Sequence, residues 1–245
     1  MKPISKSKTE TAWLLAFGAH PDDIEFGCGG VIAAETIGGG SARLVLCSRG
    51  EASSNGTPAE RTREAQRAAE ILEASLEFLE LDGDARLERK VAHAIRLAEV
   101  IRRVRPAVVL APSVVENQHP DHARLGRLVR DAARLARYGG IRELQSRPPH
   151  AIEQLLFYAV TPEAEPPDLP RIWIDVSGEQ SVLAWRSAME AHASQMQTRR
   201  YVEMQMTRAR LNGLRAGVEY AVALFPADPL IFDSLKSLGR GARRF

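Results

Sequence analysis

The sequence predicts a single α/β domain with a Rossmann-like, mainly parallel sheet and flanking helices. Strand-like and helix-like segments alternate through the first half of the chain. The helix-like segments are about 12 to 18 residues long, which suits β-α-β units with parallel strands and right-handed connections. The 245 residues contain neither an evident linker nor an internal repeat. We therefore expect one domain built on one sheet.

The elements of the first half are predicted from apolar runs and from helix signals. Apolar runs bounded by polar or glycine-rich stretches are typical of buried strands. Glycines at 38–40 end the first helix, and Thr57, Pro58 and Glu60 form a capping box with proline at the first helical position. These patterns predict strands at 12–17, 42–47, 76–81 and 107–110 and helices at 24–37, 58–72, 88–104 and 120–138.

The second half is predicted to add strands and helices to the same domain. A proline-rich segment at 162–167 separates two strand-like runs, and two helical patterns follow them. We expect strands at 154–160, 171–176 and 218–224 and helices at 179–196 and 201–214.

Composition excludes several classes of protein. The 33 basic and 31 acidic residues give a net charge of +2, which is too balanced to indicate a nucleic-acid partner. Cys28 and Cys47 form no pattern of spacings typical of a disulfide framework, so a reduced, cytoplasmic protein is the simplest interpretation. Residues 1–10 lack the apolar core of a signal peptide, and no apolar stretch approaches the ~20 residues that span a bilayer. We therefore expect no membrane partner.

Two polar clusters follow predicted strands and are the candidate site. His20, Asp22 and Asp23 come after the first strand, and a His-Pro-Asp-His motif at 119–122 comes after the fourth. Ligands of open parallel sheets bind beyond the carboxyl ends of the strands, so the two clusters would share one crevice. Together they supply His, Asp and His, a donor set suited to a catalytic zinc with one open position. Of two adjacent carboxylates, one would bind the cation and the other would handle a proton.

These motifs have two other interpretations. A His-Pro-Asp triplet also makes a good turn and helix cap, but two such clusters after two buried strands favour a site. The glycines at 27–30 suggest a dinucleotide fingerprint, which requires the first glycine directly after the strand and an acidic residue at the end of the next strand. Here the second strand ends in Cys47, Ser48 and Arg49. The glycines more simply allow the first helix to pack closely against the sheet, with Cys28 as a small buried filler.

The paired motifs resemble those of the PIG-L/LmbE-like zinc-dependent N-deacetylases, which remove acetyl groups from N-acetylglucosamine-containing molecules. The similarity extends to the subgroup with the bacillithiol-pathway deacetylases through the loop at 53–57, Arg61, Arg208 and the segments 194–195, 201–203 and 217–221. The resemblance implies a deacetylase domain over 1–245, with a Rossmann-like core at about 11–140 and residues 150–230 completing the substrate pocket. It also implies one divalent metal, usually zinc, and a homo-oligomer, often a hexamer.

The resemblance also implies roles for individual residues. The family's three metal ligands correspond to His20, Asp23 and His122, and its general base corresponds to Asp22. His119, oriented by Asp121, corresponds to the histidine that assists at the tetrahedral intermediate and the departing amine. Tyr201 corresponds to a hydroxyl that binds the oxyanion, and Arg61 to an arginine that contacts the substrate.

Three departures from the subgroup bear on the substrate. Position 118, where the related enzymes usually have an arginine that meets an acidic part of the substrate, is Gln118. A neutral glutamine cannot replace the bidentate grip of arginine on a carboxylate. The segment from Ser194 to Tyr201 is shorter, and Val222 replaces a glutamate.

The predicted function is hydrolysis of the N-acetyl group of an N-acetylglucosaminyl conjugate, such as N-acetylglucosaminyl malate, to a free amine and acetate. Two alternatives stay open at this point. One is an amidase that acts on a thiol conjugate of such a sugar, and the other is a catalytically silent sugar- or nucleotide-binding protein of the same fold. The presence of Asp22 and His119 beside the ligand set favours an enzyme.

Overall fold

The computed structural model describes residues 11–116, 119–197 and 199–242. One seven-stranded sheet lies between two layers of helices in a single domain. The strands are β1 Leu14–Gly18, β2 Ala42–Leu46, β3 Ser75–Phe78, β4 Val108–Pro112, β5 Gln154–Tyr158, β6 Ile172–Asp175 and β7 Ala221–Pro226. The helices are α1 Asp23–Ile37, α2 Pro58–Ile71, α3 Val91–Val104, α4 Pro120–Ala136, α5 Glu179–Glu190 and α6 Tyr201–Ala216.

The sheet is mostly parallel, which confirms the predicted fold class. Its strand order is β3-β2-β1-β4-β5-β7-β6, and the first five of these strands run parallel. β7 pairs antiparallel with both β5 and β6. β1 pairs with β2 on one side and with β4 on the other, and each is reached by its own helical connection. The carboxyl ends of β1 and β4 therefore border the crevice where such sheets bind ligands.

Each face of the sheet carries its own apolar core. Helices α3 and α4 pack on one face, around Leu97, Ile101 and Leu128. Helices α1, α2, α5 and α6 cover the other face, where the core includes Ile32 and Trp185. Because both faces are covered, the central strands are apolar on both sides, and all five residues of β1 are buried.

Glycines allow α1 to lie very close to its neighbours, as expected from the sequence. A Cβ atom on Gly27 would lie 2.2 Å from Cδ2 of Tyr158, and one on Gly30 would lie 2.9 Å from Cε3 of Trp185. Both aromatic side chains also donate hydrogen bonds to main-chain carbonyls near the site: the Tyr158 hydroxyl to Phe17 and the Trp185 indole N–H to Glu25, each at 2.7 Å. These contacts fix the start of α1 against β1. Cys28, beside them, is fully buried.

Some predicted boundaries are wrong. The helix predicted at 179–196 ends at Glu190, and a short 3₁₀ turn at Ala193–Gln197 follows it. Hydrogen bonds to another helix stabilise this turn: the Ser194 N–H and hydroxyl both donate to the carboxylate of Glu64 on α2, each at 2.7 Å. The last strand begins at Ala221 rather than at 218, since the N–H groups of Glu219 and Tyr220 donate to the Ser177 hydroxyl instead of entering the sheet. No helix in the described ranges is both long enough and apolar enough to cross a membrane.

Candidate metal centre and active site

The two polar clusters predicted from the sequence meet at the carboxyl ends of β1 and β4. His20, Asp22 and Asp23 lie between β1 and the first turn of α1, while His119 caps α4 and His122 lies in its first turn. The rings of His20 and His122 have centroids 5.3 Å apart although the residues are 102 positions apart in the chain. The parallel pairing of β1 with β4 brings them together.

His20, Asp23 and His122 turn their donor atoms toward one point. The distance from His20 Nδ1 to His122 Nε2 is 3.3 Å, that from His122 Nε2 to Asp23 Oδ1 is 3.0 Å, and that from His20 Nδ1 to Asp23 Oδ2 is 3.6 Å. Donors bound tetrahedrally at ~2.0–2.1 Å to one zinc ion lie about 3.3–3.4 Å apart. The two ring nitrogens and the Asp23 carboxylate thus fit a divalent cation of this size, and the donor set leaves the identity of the metal open.

The Asp23 side chain is fixed by main-chain donors. Its Oδ2 accepts hydrogen bonds from the N–H groups of Ala19 at 2.8 Å and His20 at 2.9 Å. Burial acts to raise the pKa of Asp23, but the neighbouring His122 and His20 outweigh it and hold that pKa well below its usual range. The carboxylate therefore stays charged, as a metal ligand must.

Asp22 faces Arg61 and has an unusual backbone conformation. Its φ of 102° lies in the left-handed region, which is uncommon for a residue with a side chain. The Arg61 guanidinium lies 3.3 Å from Asp22 Oδ2 and donates to the Pro21 carbonyl at 2.7 Å. Burial and the Asp23 charge raise the pKa of Asp22 to about 6, although Arg61 acts in the opposite direction. The two adjacent carboxylates thus differ in partners and proton affinity.

His119 and Asp121 lie across the same crevice. The His119 Nδ1 accepts a hydrogen bond from the Asp121 N–H at 3.2 Å, which closes the first turn of α4. The Asp121 carboxylate is 4.0 Å from that Nδ1, beyond hydrogen-bond distance, and is closer to His20 Nε2, at 3.5 Å. Asp121 is predicted to orient His119, but in this arrangement no direct hydrogen bond joins the two side chains.

A cavity of about 370 Å³ opens over these residues, within the range of small-molecule sites. Tyr201, at the start of α6, lines it and stacks on Phe26 with ring centroids 5.3 Å apart. Arg61, the loop at 52–55 and Gln195 complete the wall. Gln118 lies outside the described residues. Val222 is buried in β7 and belongs to the wall of a different, much smaller cavity.

Sequence reasoning missed Asp84. This residue lies in the loop between β3 and α3, and its Oδ1 is 3.0 Å from His20 Nε2 and 3.5 Å from His119 Nε2. The signal available in the sequence was an Asp-Gly-Asp stretch at 82–84 that follows the third predicted strand at the carboxyl edge of the sheet. With His20, His119 and Asp121, Asp84 forms a second group of potential metal donors that shares His20 with the first group.

Known proteins resemble this chain in sequence. Residues 15–133 match the family model described as PIG-L: GlcNAc-PI de-N-acetylase. A 4-oxalmesaconate hydratase of Pseudomonas putida is 33% identical over 138 residues, which are 51% of this chain and 53% of the hydratase, so the match spans about half of that relative's length. A diacetylchitobiose deacetylase of Thermococcus kodakarensis is 29% identical over 198 residues, or 74% of this chain and 69% of the deacetylase.

The fold is also similar to that of a solved structure. The conserved protein TT1542 from Thermus thermophilus superposes with a TM-score of 0.81 at 32% identity. The superposition covers 91% of this chain and 97% of that protein. The likeness therefore includes both halves of the domain.

Proposed function

This chain belongs to the PIG-L family, and on that premise we propose that it is a metal-dependent hydrolase that removes the N-acetyl group from an N-acetylglucosaminyl conjugate. One observation carries the proposal. The carboxylate of Asp22 and the imidazole of His119 line the same cavity as the three-donor group of His20, Asp23 and His122. A binding protein of the same fold needs the three donors at most, whereas hydrolysis also needs a base and an acid.

In the proposed reaction His20, Asp23 and His122 would hold the metal. Zinc bound there would polarise the amide carbonyl and lower the pKa of water toward ~7. The chain's own groups then move the protons. Asp22 accepts a proton from the water whose oxygen bonds to the carbonyl carbon, and His119 donates a proton to the amine nitrogen as the C–N bond breaks.

Tyr201 and Arg61 complete the proposed mechanism. The Tyr201 hydroxyl would donate a hydrogen bond to the oxyanion of the tetrahedral intermediate. Arg61 is held by the Pro21 carbonyl and by Asp22, so in this arrangement it orients the base as well as bordering the cavity. The products are acetate and a free amine.

The cavity wall favours a neutral, hydroxyl-rich substrate. Among the described residues that line it, Arg61 is the one arginine or lysine, and Asp22 already neutralises it. Hydroxyl and amide side chains supply much of the remaining wall, at Ser53, Ser54, Asn55, Gln195 and Tyr201. Such groups match the hydroxyls of a sugar better than the carboxylates of a multiply charged acid. We therefore expect a neutral conjugate to be preferred over N-acetylglucosaminyl malate.

A hydratase is the second candidate function, favoured by the 33% identity to the Pseudomonas enzyme. Addition of water to a carbon–carbon double bond would use the same base but would release no amine. The amidase would also hydrolyse an amide bond, and it differs from the deacetylase in its substrate, which is a thiol conjugate of the sugar. A homo-oligomer, with a hexamer as the expected form, and a cytoplasmic location are further proposals from the family resemblance.

The deciding experiment supplies zinc to the metal-free protein and offers four substrates. These are N-acetylglucosaminyl malate, diacetylchitobiose, a thiol conjugate of an N-acylated glucosamine, and 4-oxalmesaconate. Release of acetate from one of the acetylated sugars, lost in Asp22→Asn, would support the deacetylase. Cleavage of the thiol conjugate alone would replace it with the amidase, and consumption of 4-oxalmesaconate alone would replace it with the hydratase. Binding without turnover of any compound would favour the silent binding protein.

A further inference from the structure

His20 belongs to two groups of donors through its two ring nitrogens. Its Nδ1 faces Asp23 and His122, and its Nε2 faces Asp84 and Asp121. We propose that Asp84 is a positioning residue that keeps the proton of His20 on Nε2 and thereby leaves Nδ1 free to bind the metal. The inference rests on the proposed metal site but not on the identity of the substrate.

The side chain of Asp84 is aimed at His20 by contacts on its other side. Its Oδ2 accepts a hydrogen bond from the Ala52 N–H at 3.1 Å, and its own N–H donates to Glu51 Oε2 at 3.1 Å. With Oδ2 held in this way, Oδ1 is the oxygen turned toward His20 Nε2, at 3.0 Å. The carboxylate is largely buried, so water screens its charge from the imidazole less than it would at the surface.

The loop that carries Asp84 is shaped to present it. Both neighbours of Asp84 have left-handed backbones, with φ of 88° at Gly83 and 61° at Ala85. Asp82 ties the loop to the start of α3, since its Oδ2 accepts from the Glu88 N–H at 2.9 Å and contacts His93 Nε2 at 2.8 Å. The loop therefore has its own anchors, separate from the contact with His20.

His20 needs such a partner because of where its Nε2 lies. The atom is buried, and no acceptor among the described residues lies along its N–H direction. The ionic contacts are close but not well directed: Asp84 at 3.0 Å and Asp121 at 3.5 Å flank the nitrogen. Metal-binding histidines generally direct the proton of the second ring nitrogen to a carboxylate, which fixes the tautomer and increases the basicity of the ligating nitrogen. Asp84 is the nearer of the two carboxylates.

A second metal site is the alternative interpretation of the group formed by His20, Asp84, His119 and Asp121. A metal there, together with one on Nδ1, would require His20 to lose its last proton and bridge two cations. With a single metal on Nδ1, the Nε2 proton stays, and the negative charges of the two neighbouring carboxylates stabilise it. The number of metal ions bound per chain therefore separates the two interpretations.

The test measures metal binding without substrate, so that it is independent of which reaction the enzyme catalyses. Zinc affinity is obtained by competition with a chromophoric chelator for the wild type, Asp84→Asn and Asp82→Asn. We expect one zinc per wild-type chain and a ~10–100-fold weaker affinity in Asp84→Asn, the effect typical of removing the outer partner of a ligating histidine. Asp82→Asn is the matched control in the same loop, because asparagine keeps an oxygen that can accept from the Glu88 N–H and so keeps the loop anchored. It should change affinity less than about threefold, since Asp82 contacts neither His20 nor His119.

The tautomer itself can be observed in the zinc-loaded wild type, so the proposal does not depend on a variant that folds. Proton–nitrogen correlation spectra of the histidine rings should show His20 protonated at Nε2. Protonation at Nδ1, unchanged zinc affinity in a folded Asp84→Asn, or two zinc ions per wild-type chain would each overturn the proposal. A wild type that binds no metal would overturn the proposed function as well, whereas normal zinc binding with no acetate release would overturn the function alone.

Discussion

Replacing each of the two adjacent carboxylates by its amide should separate catalysis from metal binding. In Asp22→Asn the shape of the side chain is kept, an oxygen remains to accept from Arg61, and asparagine tolerates the left-handed φ of 102° better than most residues. The three donors of the proposed metal site are untouched. We therefore expect zinc to remain bound while kcat falls by ~10²–10⁴-fold, the usual loss on removing a general base. That loss corresponds to about 3–5 kcal/mol in the barrier, at 1.36 kcal/mol for each factor of ten.

Asp23→Asn should have the opposite effect, for a reason visible in the contacts of the carboxylate. The Oδ2 atom of Asp23 accepts hydrogen bonds from the N–H groups of Ala19 and His20, and its Oδ1 atom faces His122. An amide has one oxygen. If that oxygen keeps the two main-chain hydrogen bonds, an NH₂ group replaces the oxygen that faces the metal position. Zinc affinity should then fall by more than the ~10–100-fold expected for an outer partner.

The assay is metal content of the purified variants, measured beside their turnover rates. His119→Ala should resemble Asp22→Asn, with metal kept and rate lost, and His122→Ala should resemble Asp23→Asn. Loss of zinc from Asp22→Asn with retention by Asp23→Asn would show that the two carboxylates have been assigned in reverse. The mechanism would then have to be rewritten with Asp23 as the proton acceptor.

Three further predictions concern the metal and the framework around the site. Chelation should abolish turnover, and excess zinc should restore it. Excess zinc should also raise Tm, because a ligand at 100 times its Kd stabilises the folded state by about 2.7 kcal/mol. An unchanged Tm would contradict binding of zinc to the folded protein. Gly27→Ala should lower the free energy of unfolding by about 1–3 kcal/mol through its clash with Tyr158, while Gly140→Ala, with open space around it, should change little in urea titrations. Arg102→Met should lower the free energy of unfolding by about 3–5 kcal/mol, because this buried guanidinium donates to four main-chain carbonyls between 136 and 147. The control is Arg142→Met, at an exposed arginine. Equal urea midpoints for the two variants would refute that reasoning.

The fold could be predicted from the sequence where local patterns and topology agree. Strand β1 is a short apolar run, α2 has its capping box between Thr57 and Glu60, and the parallel order follows from the helical connections. The antiparallel direction of β7 has no comparable signal. It depends on α6 and on the turn at Gly217, whose φ of 70° sends the chain back along the sheet.

The site could be predicted in part for a similar reason. His20 and His122 are found from motifs that follow strands, and neighbouring parallel strands bring such motifs together. Asp84 lies in a short Asp-Gly-Asp stretch after the third predicted strand, but this stretch contains no histidine, and the contacts of Asp84 with His20 and with Ala52 join positions 64 and 32 residues apart in the chain. The early end of α5 is also a tertiary effect, because Glu64 on another helix captures Ser194. Local sequence does not contain either contact.

The left-handed backbone of Asp22 implies a conflict between the stability of the folded state and catalytic activity. Glycine accepts a φ of 102° without the strain that a side chain brings, and a strained residue of this kind costs on the order of 1 kcal/mol. Asp22→Gly should therefore fold at least as well as the parent if the lost contact with Arg61 is small, yet it would have no base. A directed-evolution campaign that selects this chain for heat resistance alone would be drawn toward inactive proteins at this position, so selection for activity has to accompany every round.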